Sequence, residues 1–295
     1  MKKPKEIRKR IKVVSNTKKI TKTMEMIATS KLLKAQERVK ATMPYFEALN
    51  SMLKKLTSDK ELLKESPLMQ ERKEVRKVLM FLFTANRGLC GSFNSNLIDK
   101  AKKRIEEYQK QNTAVELFIA GKKGIAFFSF RRFEIEKKFT ELGDKPTYKD
   151  AQEIADLLIE KFMSEQVDNI ELVYSHFESM LKQPPSILQL LPISGFEGDK
   201  QEDIVKYERN IHYKFDPDAQ TVMRDIIPLY INSMVYKVLV ESIASEQASR
   251  RVAMKNATDN SEEVIRKLTI SLNKSRQAQI TSELTEIVGT SKALE

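Results

Sequence analysis

The chain has 295 residues, of which 41% are hydrophobic, enough for a core and for one large or two ordinary domains. No apolar run approaches the ~18 residues of a membrane-crossing helix, and the opening MKKPKEIRKR leads into periodic helix without the uncharged core of a signal peptide. One cysteine, Cys90, excludes an internal disulfide and, with only two histidines, argues against a structural zinc site, so the expectation is a soluble chain in a reducing cytoplasm.

The net charge of +11 is concentrated at one end: residues 1–58 carry 16 Lys and Arg against four Glu, while the rest nearly cancel. A basic arm of this kind seeks an acidic partner, which charge alone leaves open among nucleic acid, anionic lipid and an acidic protein surface. Seven of the eight glycines lie between Gly88 and Gly198, which leaves two glycine-free arms around a compact middle.

In the first arm, residues 1–58, apolar or small side chains recur at steps of four and three: Ile7, Ile11, Val14, Ala28, Leu32, Ala35, Val39, Phe46, Leu49, Leu53 and Leu56. The same register gives Lys18, Thr21 and Glu25 in between, while Ile20, Met24 and Ile27 fall on a neighbouring stripe. The pattern predicts that the packed face migrates around the helix there, and Pro44 predicts a kink or local bend.

The middle, residues 75–193, begins with a buried-strand pattern over Val75 to Thr84, a glycine-bearing turn and a helix from Ser95 to Gln111. A second strand at Ala114 to Ala120, a short helix to Phe130 and a third strand at Phe133 to Phe139 follow. Thr147 with Asp150 predicts a capping box opening a helix to Met163, and Ile170 to Phe177 and Ile187 to Ile193 complete the strands. Alternation of this kind predicts a small, Rossmann-like α/β domain with a mostly parallel sheet.

A polar connector over 194–217 leads to the second arm, residues 218–290, with Pro228 a predicted kink near its base. Its lower part carries broad apolar faces, and beyond Ser242 it is rich in Ala, Ser, Asn and Thr. The fold class is therefore α/β plus a long antiparallel coiled coil, in which the terminal helices bury their apolar stripes against each other.

The turn RGLCGSFN at 87–94 sits between strand and helix, where phosphate can bind, but it lacks both GxxxxGK[ST] and GxGxxG and reads as a structural turn with Cys90 a small, partly buried side chain. His176 and His212 have no nucleophile or carboxylate at a catalytic spacing, and Glu283 with Glu286, on one face of a polar helix, read as solvated or partner-facing. The alternatives left open are a basic coiled-coil protein that binds nucleic acid, for which the arm has few aromatics to stack bases, and a small enzyme using the turn at Gly88.

Three blocks are more specific. TKKITKTMEMIA at 17–28 with Ser30-Lys31, RGLCGSFN at 87–94, and SEQASRRVAMKNATDN with NKSRQAQITSELTEIV at 245–260 and 273–288 stand in order along the whole chain. Together they resemble the gamma subunit of F-type proton-translocating ATP synthase of the bacterial type. The chain departs from that pattern at Gly91-Ser92 and Thr290-Ser291, where the family commonly has Gly-Gly or Gly-Ala and Gly-Ala.

The resemblance implies a non-catalytic, cofactor-free central-stalk rotor that couples proton flow through the c ring to ATP synthesis or hydrolysis. Its partners would be a ring of three alpha and three beta subunits, the epsilon subunit and the c-subunit ring. No nucleic acid is implied, and the membrane is met only through the c ring, at the cytoplasmic face. The resemblance implies contact with beta at Lys9, Lys18, Met24, Arg276, Gln277, Thr281, Glu283 and Glu286. It places Tyr207, Phe215 and Asp216 near c-ring loops, and Ile287 and Val288 in an apolar bearing.

Overall fold

The structure is a computed structural model that describes residues 4–56, 66–193 and 218–294. Contacts divide the chain into two units, Met1–Ser30 with Arg250–Glu295, and Lys31–Ser249. Two long helices, α1 (Pro4–Leu56) and α5 (Ala219–Leu294), contribute to both, and each runs on through its proline, Pro44 or Pro228.

The larger unit is built on a five-stranded sheet in the order β3-β2-β1-β4-β5, formed by β1 (Lys77–Phe83), β2 (Ala114–Ala120), β3 (Lys137–Phe139), β4 (Asn169–Ser175) and β5 (Pro185–Leu191). The pairs β1 with β2, β1 with β4 and β2 with β3 are parallel, and β4 with β5 is antiparallel. Helices α2 (Phe93–Lys110), α3 (Lys122–Phe130) and α4 (Tyr148–Met163) connect the strands.

The unbroken apolar run of β1 follows from burial on both faces. Leu79, Phe81 and Phe83 pack with Leu158 and Phe162 of α4, Leu49 and Leu53 of α1, and Ile231 and Val235 of α5. Val78, Met80 and Leu82 face the other way, against Leu97, Ala101 and Ile105 of α2 and Phe128 of α3. One window of α5 is long and apolar enough to cross a bilayer by composition, and 67% of it is buried inside the structure.

Each face also holds one charge that the fold neutralises. Glu171 of β4 accepts hydrogen bonds from Arg104 on α2, at 3.0 Å from its Nε, and from the Tyr108 hydroxyl at 2.6 Å. Glu116 of β2 is paired with Lys161 of α4 at 2.9 Å and with Lys77. Both carboxylates are buried, so removal of either partner would strand a charge in the interior.

The predicted capping box forms: the Asp150 amide donates to Thr147 Oγ1 at 3.2 Å and the Thr147 amide donates to Asp150 Oδ2 at 2.7 Å. Helix α5 is opened by Asp218, whose Oδ1 accepts from the Thr221 amide at 2.8 Å, a bond that holds its carboxyl below the usual carboxylate range.

Most strand boundaries differ from the sequence pattern, chiefly by one or two residues, and at two of them the packing gives the reason. The third strand is confined to Lys137–Phe139, because Phe133 and Ile135 pack against the α2–α3 core and the Phe133 amide donates to Phe128 O at 3.0 Å. The last strand ends at Leu191, since Pro192 has no N–H for the ladder and the Ile193 amide donates to Leu68 O at 2.9 Å.

Candidate functional site

Two of the three blocks that carry the resemblance lie mostly on the smaller unit, where α1 and α5 run antiparallel. Ile7, Ala28 and Met254 are buried there, together with four polar residues, Thr21, Thr258, Ser261 and Ser275. Thr21 Oγ1 lies 2.8 Å from Thr258 Oγ1, and Lys18 Nζ lies 3.2 Å from Glu262 Oε2. Thr258 also donates to Met254 O at 2.9 Å and Thr21 to Lys18 O at 3.0 Å, so these hydroxyls have backbone acceptors within reach as well.

This arrangement corrects the expectation that the packed face migrates. The seam keeps its register through Lys18 and Thr21, because α5 offers a hydroxyl and a carboxylate opposite them. The neighbouring stripe is left in solvent: Ile20 is 57% exposed, Met24 36% and Ile27 51%. Together they form an exposed apolar stripe on one face of α1.

Lys9 is exposed, and Lys18 is half-buried by its pairing with Glu262. On α5, every described side chain from Arg276 to Thr285 is exposed. Within that stretch Thr281 Oγ1 donates to Gln277 O at 2.9 Å, and Gln279 Nε2 donates to Glu283 Oε1 at 2.9 Å. Ile287 is exposed. The side chains of Glu286 and Val288, and Tyr207, Phe215 and Asp216 altogether, lie outside the described residues. Two surfaces therefore emerge, an apolar stripe on α1 and a polar stretch at the outer part of α5.

A family model described as ATP synthase matches residues 3–294. A protein of Leptospira biflexa described as ATP synthase gamma chain is 39% identical over 295 residues, covering 99% of both chains. Another of the same description, from Gemmatimonas aurantiaca, is 40% identical over 299 residues and covers both chains completely. The chain belongs to the ATP synthase gamma chain family.

Among solved structures, a chain of the central stalk and c-ring of Tetrahymena thermophila mitochondrial ATP synthase aligns with a TM-score of 0.62 at 26% identity, over 81% of this chain and 99% of that one. A chain from the Euglena gracilis mitochondrial enzyme shares the fold, with a TM-score of 0.66 at 19% identity over 99% of this chain and 94% of that one. Membership of the gamma family over nearly the whole length displaces the nucleic-acid-binding alternative.

For a gamma-family chain the turn at 87–94 is a structural element. Cys90 is buried, Asn94 Oδ1 accepts from the Ala85 amide at 2.9 Å and Asn94 Nδ2 reaches Cys90 Sγ at 3.1 Å. His176 is also engaged, its Nδ1 lying 2.8 Å from Glu241 Oε2, where it ties the end of β4 to α5. The contacts that sequence reasoning missed, Thr21 with Thr258 and Lys18 with Glu262, had one signal available. The seven-residue register already placed Lys18 and Thr21 on the packed face.

Proposed function

We propose that this chain is the non-catalytic rotor of a membrane-associated ATP synthase, turning at the cytoplasmic face inside a ring of alpha and beta subunits, with epsilon and the c ring as its other partners. The observation that carries the reading is the division of labour on α1. Polar side chains hold the helix pair together through Thr21 and Lys18, while Ile20, Met24 and Ile27 are turned outward. Gamma-family membership and the central-stalk setting of the Tetrahymena chain support it.

The mechanism is linkage by contact energy. A helix pair with one apolar stripe and basic flanks cannot meet three equivalent beta subunits in the same way. Each orientation therefore favours a different set of open and closed states around the ring. Rotation driven by proton flow permutes those preferences and releases ATP from one site while another takes up ADP and phosphate; hydrolysis drives the reverse turn. In this reading Lys9, Lys18, Met24, Arg276, Gln277, Thr281, Glu283 and Glu286 meet beta. Tyr207, Phe215 and Asp216 meet the c-ring loops, and Ile287 and Val288 turn in the apolar collar.

The test is Arg276→Ala combined with Gln277→Ala in the reassembled complex. Both side chains are exposed, so the isolated chain keeps its fold while ATP-driven torque and proton pumping fall. Torque and pumping equal to those of the unaltered complex would remove the assignment of these two residues.

A further inference from the structure

The contact between α5 and the sheet changes character along the helix. Nearer its start it is apolar, with Ile231, Val235, Val238 and Leu239 sharing one core with Phe81, Leu158 and Phe162. Apolar packing resists separation, but it has no direction and does little to stop one surface turning on the other. From Glu241 onward the contact is polar. Glu241, Ser245 and Ser249 stand at steps of four on one face of α5, and each meets one atom of the end of β4 or of the hairpin at 176–184 that leads to β5. Glu241 Oε2 lies 2.8 Å from His176 Nδ1, Ser245 Oγ donates to Ser175 O at 2.9 Å, and Ser249 Oγ donates to Gln183 Oε1 at 3.0 Å. These points are spread over about 12 Å of helix.

The hairpin is braced by bonds of its own. The His176 amide donates to Pro184 O at 3.0 Å, Ser175 Oγ to Gln183 O at 3.1 Å and Gln183 Nε2 to Ser179 O at 2.6 Å. Gln183 therefore presents its Oε1 to Ser249 from a fixed position. Glu241 is buried, and its other oxygen lies 4.0 Å from Lys237 Nζ, which sits over the Phe46 ring of α1 at 4.3 Å from the centroid. Exchanging a buried ion pair for apolar side chains of similar volume is commonly neutral or stabilising. What the His176 and Glu241 pair adds at this junction is direction.

We propose that the hairpin between β4 and β5 is the arm that makes the sheet and α5 turn together, with Glu241 as the positioning residue that fixes its angle on the helix. The proposal rests on the rotor reading, in which α5 carries rotation to the beta subunits and slip against the sheet would lose it.

Two variants of the full-length chain separate angle from stability. His176→Leu with Glu241→Met removes both polar groups at similar volume and strands no charge. His176→Asn keeps a donor, since its amide nitrogen takes the position of Nδ1. In the isolated chain, hydrogen exchange of amides 176–184 should quicken about tenfold in the double variant, while the urea midpoint and exchange in β1 and β2 stay as in the unaltered chain. In the assembled enzyme, a bead carried on α2 through Lys100→Cys, at an exposed site, reports the thermal swing of the sheet when rotation is halted. The swing should broaden in the double variant and match the unaltered chain in His176→Asn, a split that overall stability does not produce. The proposal is overturned if the double variant leaves hairpin exchange and bead swing unchanged, or if His176→Asn loosens both as much as the double variant does. It is also overturned if the double variant lowers the urea midpoint and quickens exchange in β1 and β2 as much as in the hairpin. An unaltered chain that assembles but never turns would instead refute the rotor reading, and the exchange result would still decide whether Glu241 fixes the arm.

Discussion

The hydroxyl of Thr21 lies 2.8 Å from the hydroxyl of Thr258, a residue 237 positions away in the chain. Both are buried, and each carries a single proton. When Thr258 donates to Met254 O, Thr21 must donate across to Thr258 and release Lys18 O; the reverse arrangement releases Met254 O. The pair fixes the register of the two helices by chemistry that apolar side chains cannot supply, since a seam of small apolar groups tolerates sliding.

A double-mutant cycle isolates that bond. Thr21→Val and Thr258→Val should each destabilise the chain by about 1 kcal/mol, because each leaves one buried hydroxyl with a poorer set of partners. The double variant, with valine facing valine, should cost clearly less than the sum of the two, giving a coupling of about 1 kcal/mol in urea unfolding. Strict additivity would show that the two hydroxyls do not depend on each other.

Tyr230 sets an alkaline limit on stability. Its ring stacks on Phe46 with centroids 5.8 Å apart, and burial pushes its phenol up to about 12 from an ordinary value of 10.0. A raised value means that the folded state keeps the proton after the unfolded state has lost it. This contribution is therefore fully present below pH 10.0 and is lost as pH rises toward about 12. Tyr230→Phe should remove about 3 kcal/mol of the alkaline loss. Parallel pH–stability curves for the two proteins above pH 10 would contradict it.

Much of this architecture is legible in local pattern, and the failures share one cause. The register that predicted Ile7, Ala28, Leu32, Leu49, Leu53 and Leu56 in the packed face is borne out, since all are buried. The same register also puts Lys18 and Thr21 in the seam, and only the expectation that the packed face migrates there fails, because their acceptability in a seam depends on Glu262 and Thr258, which no window around them contains. Phe133 and Ile135 have the composition of a strand but serve as a loop under α3, a choice made by tertiary packing. The capping box at Thr147 was readable because its two partners are three residues apart. The exposure of Ile20, Met24 and Ile27 was not, because the same stripe would also serve as a core face.

Gly121 is the least replaceable glycine of the sheet. Its φ is +93°, and a Cβ there would sit 2.0 Å from Thr84 O, a backbone atom that cannot yield. That carbonyl belongs to the residue that follows β1, and Thr84 Oγ1 also accepts from the Gly124 amide at 2.9 Å, so a shift would break the start of α3. Gly121→Ala should therefore destabilise the larger unit by about 3 kcal/mol or more, seen as a lowered urea midpoint and accelerated exchange of amides in β1 and β2. Gly143→Ala, where an added Cβ meets nothing within 4 Å, should stay within about 0.5 kcal/mol of the unaltered chain. Equal effects from the two substitutions would refute this account.

Met24 separates a role in folding from a role in coupling. It is 36% exposed beside Ile20 and Ile27, so Met24→Asp should leave the thermal unfolding of the isolated chain within about 0.5 kcal/mol of the unaltered protein. In the assembled enzyme the same substitution would place a carboxylate in an apolar contact, or against acidic groups of beta, at a cost of about 2 kcal/mol or more. Since each 1.4 kcal/mol is about tenfold, coupling of ATP hydrolysis to proton pumping should fall by at least about tenfold. Ser51→Asp, at an exposed polar position far along the same helix from that stripe, adds the same charge without burying it there and should leave coupling nearly unchanged. If both substitutions lower coupling alike, the effect is one of net charge on the basic arm, and the apolar stripe loses its assignment as a contact surface.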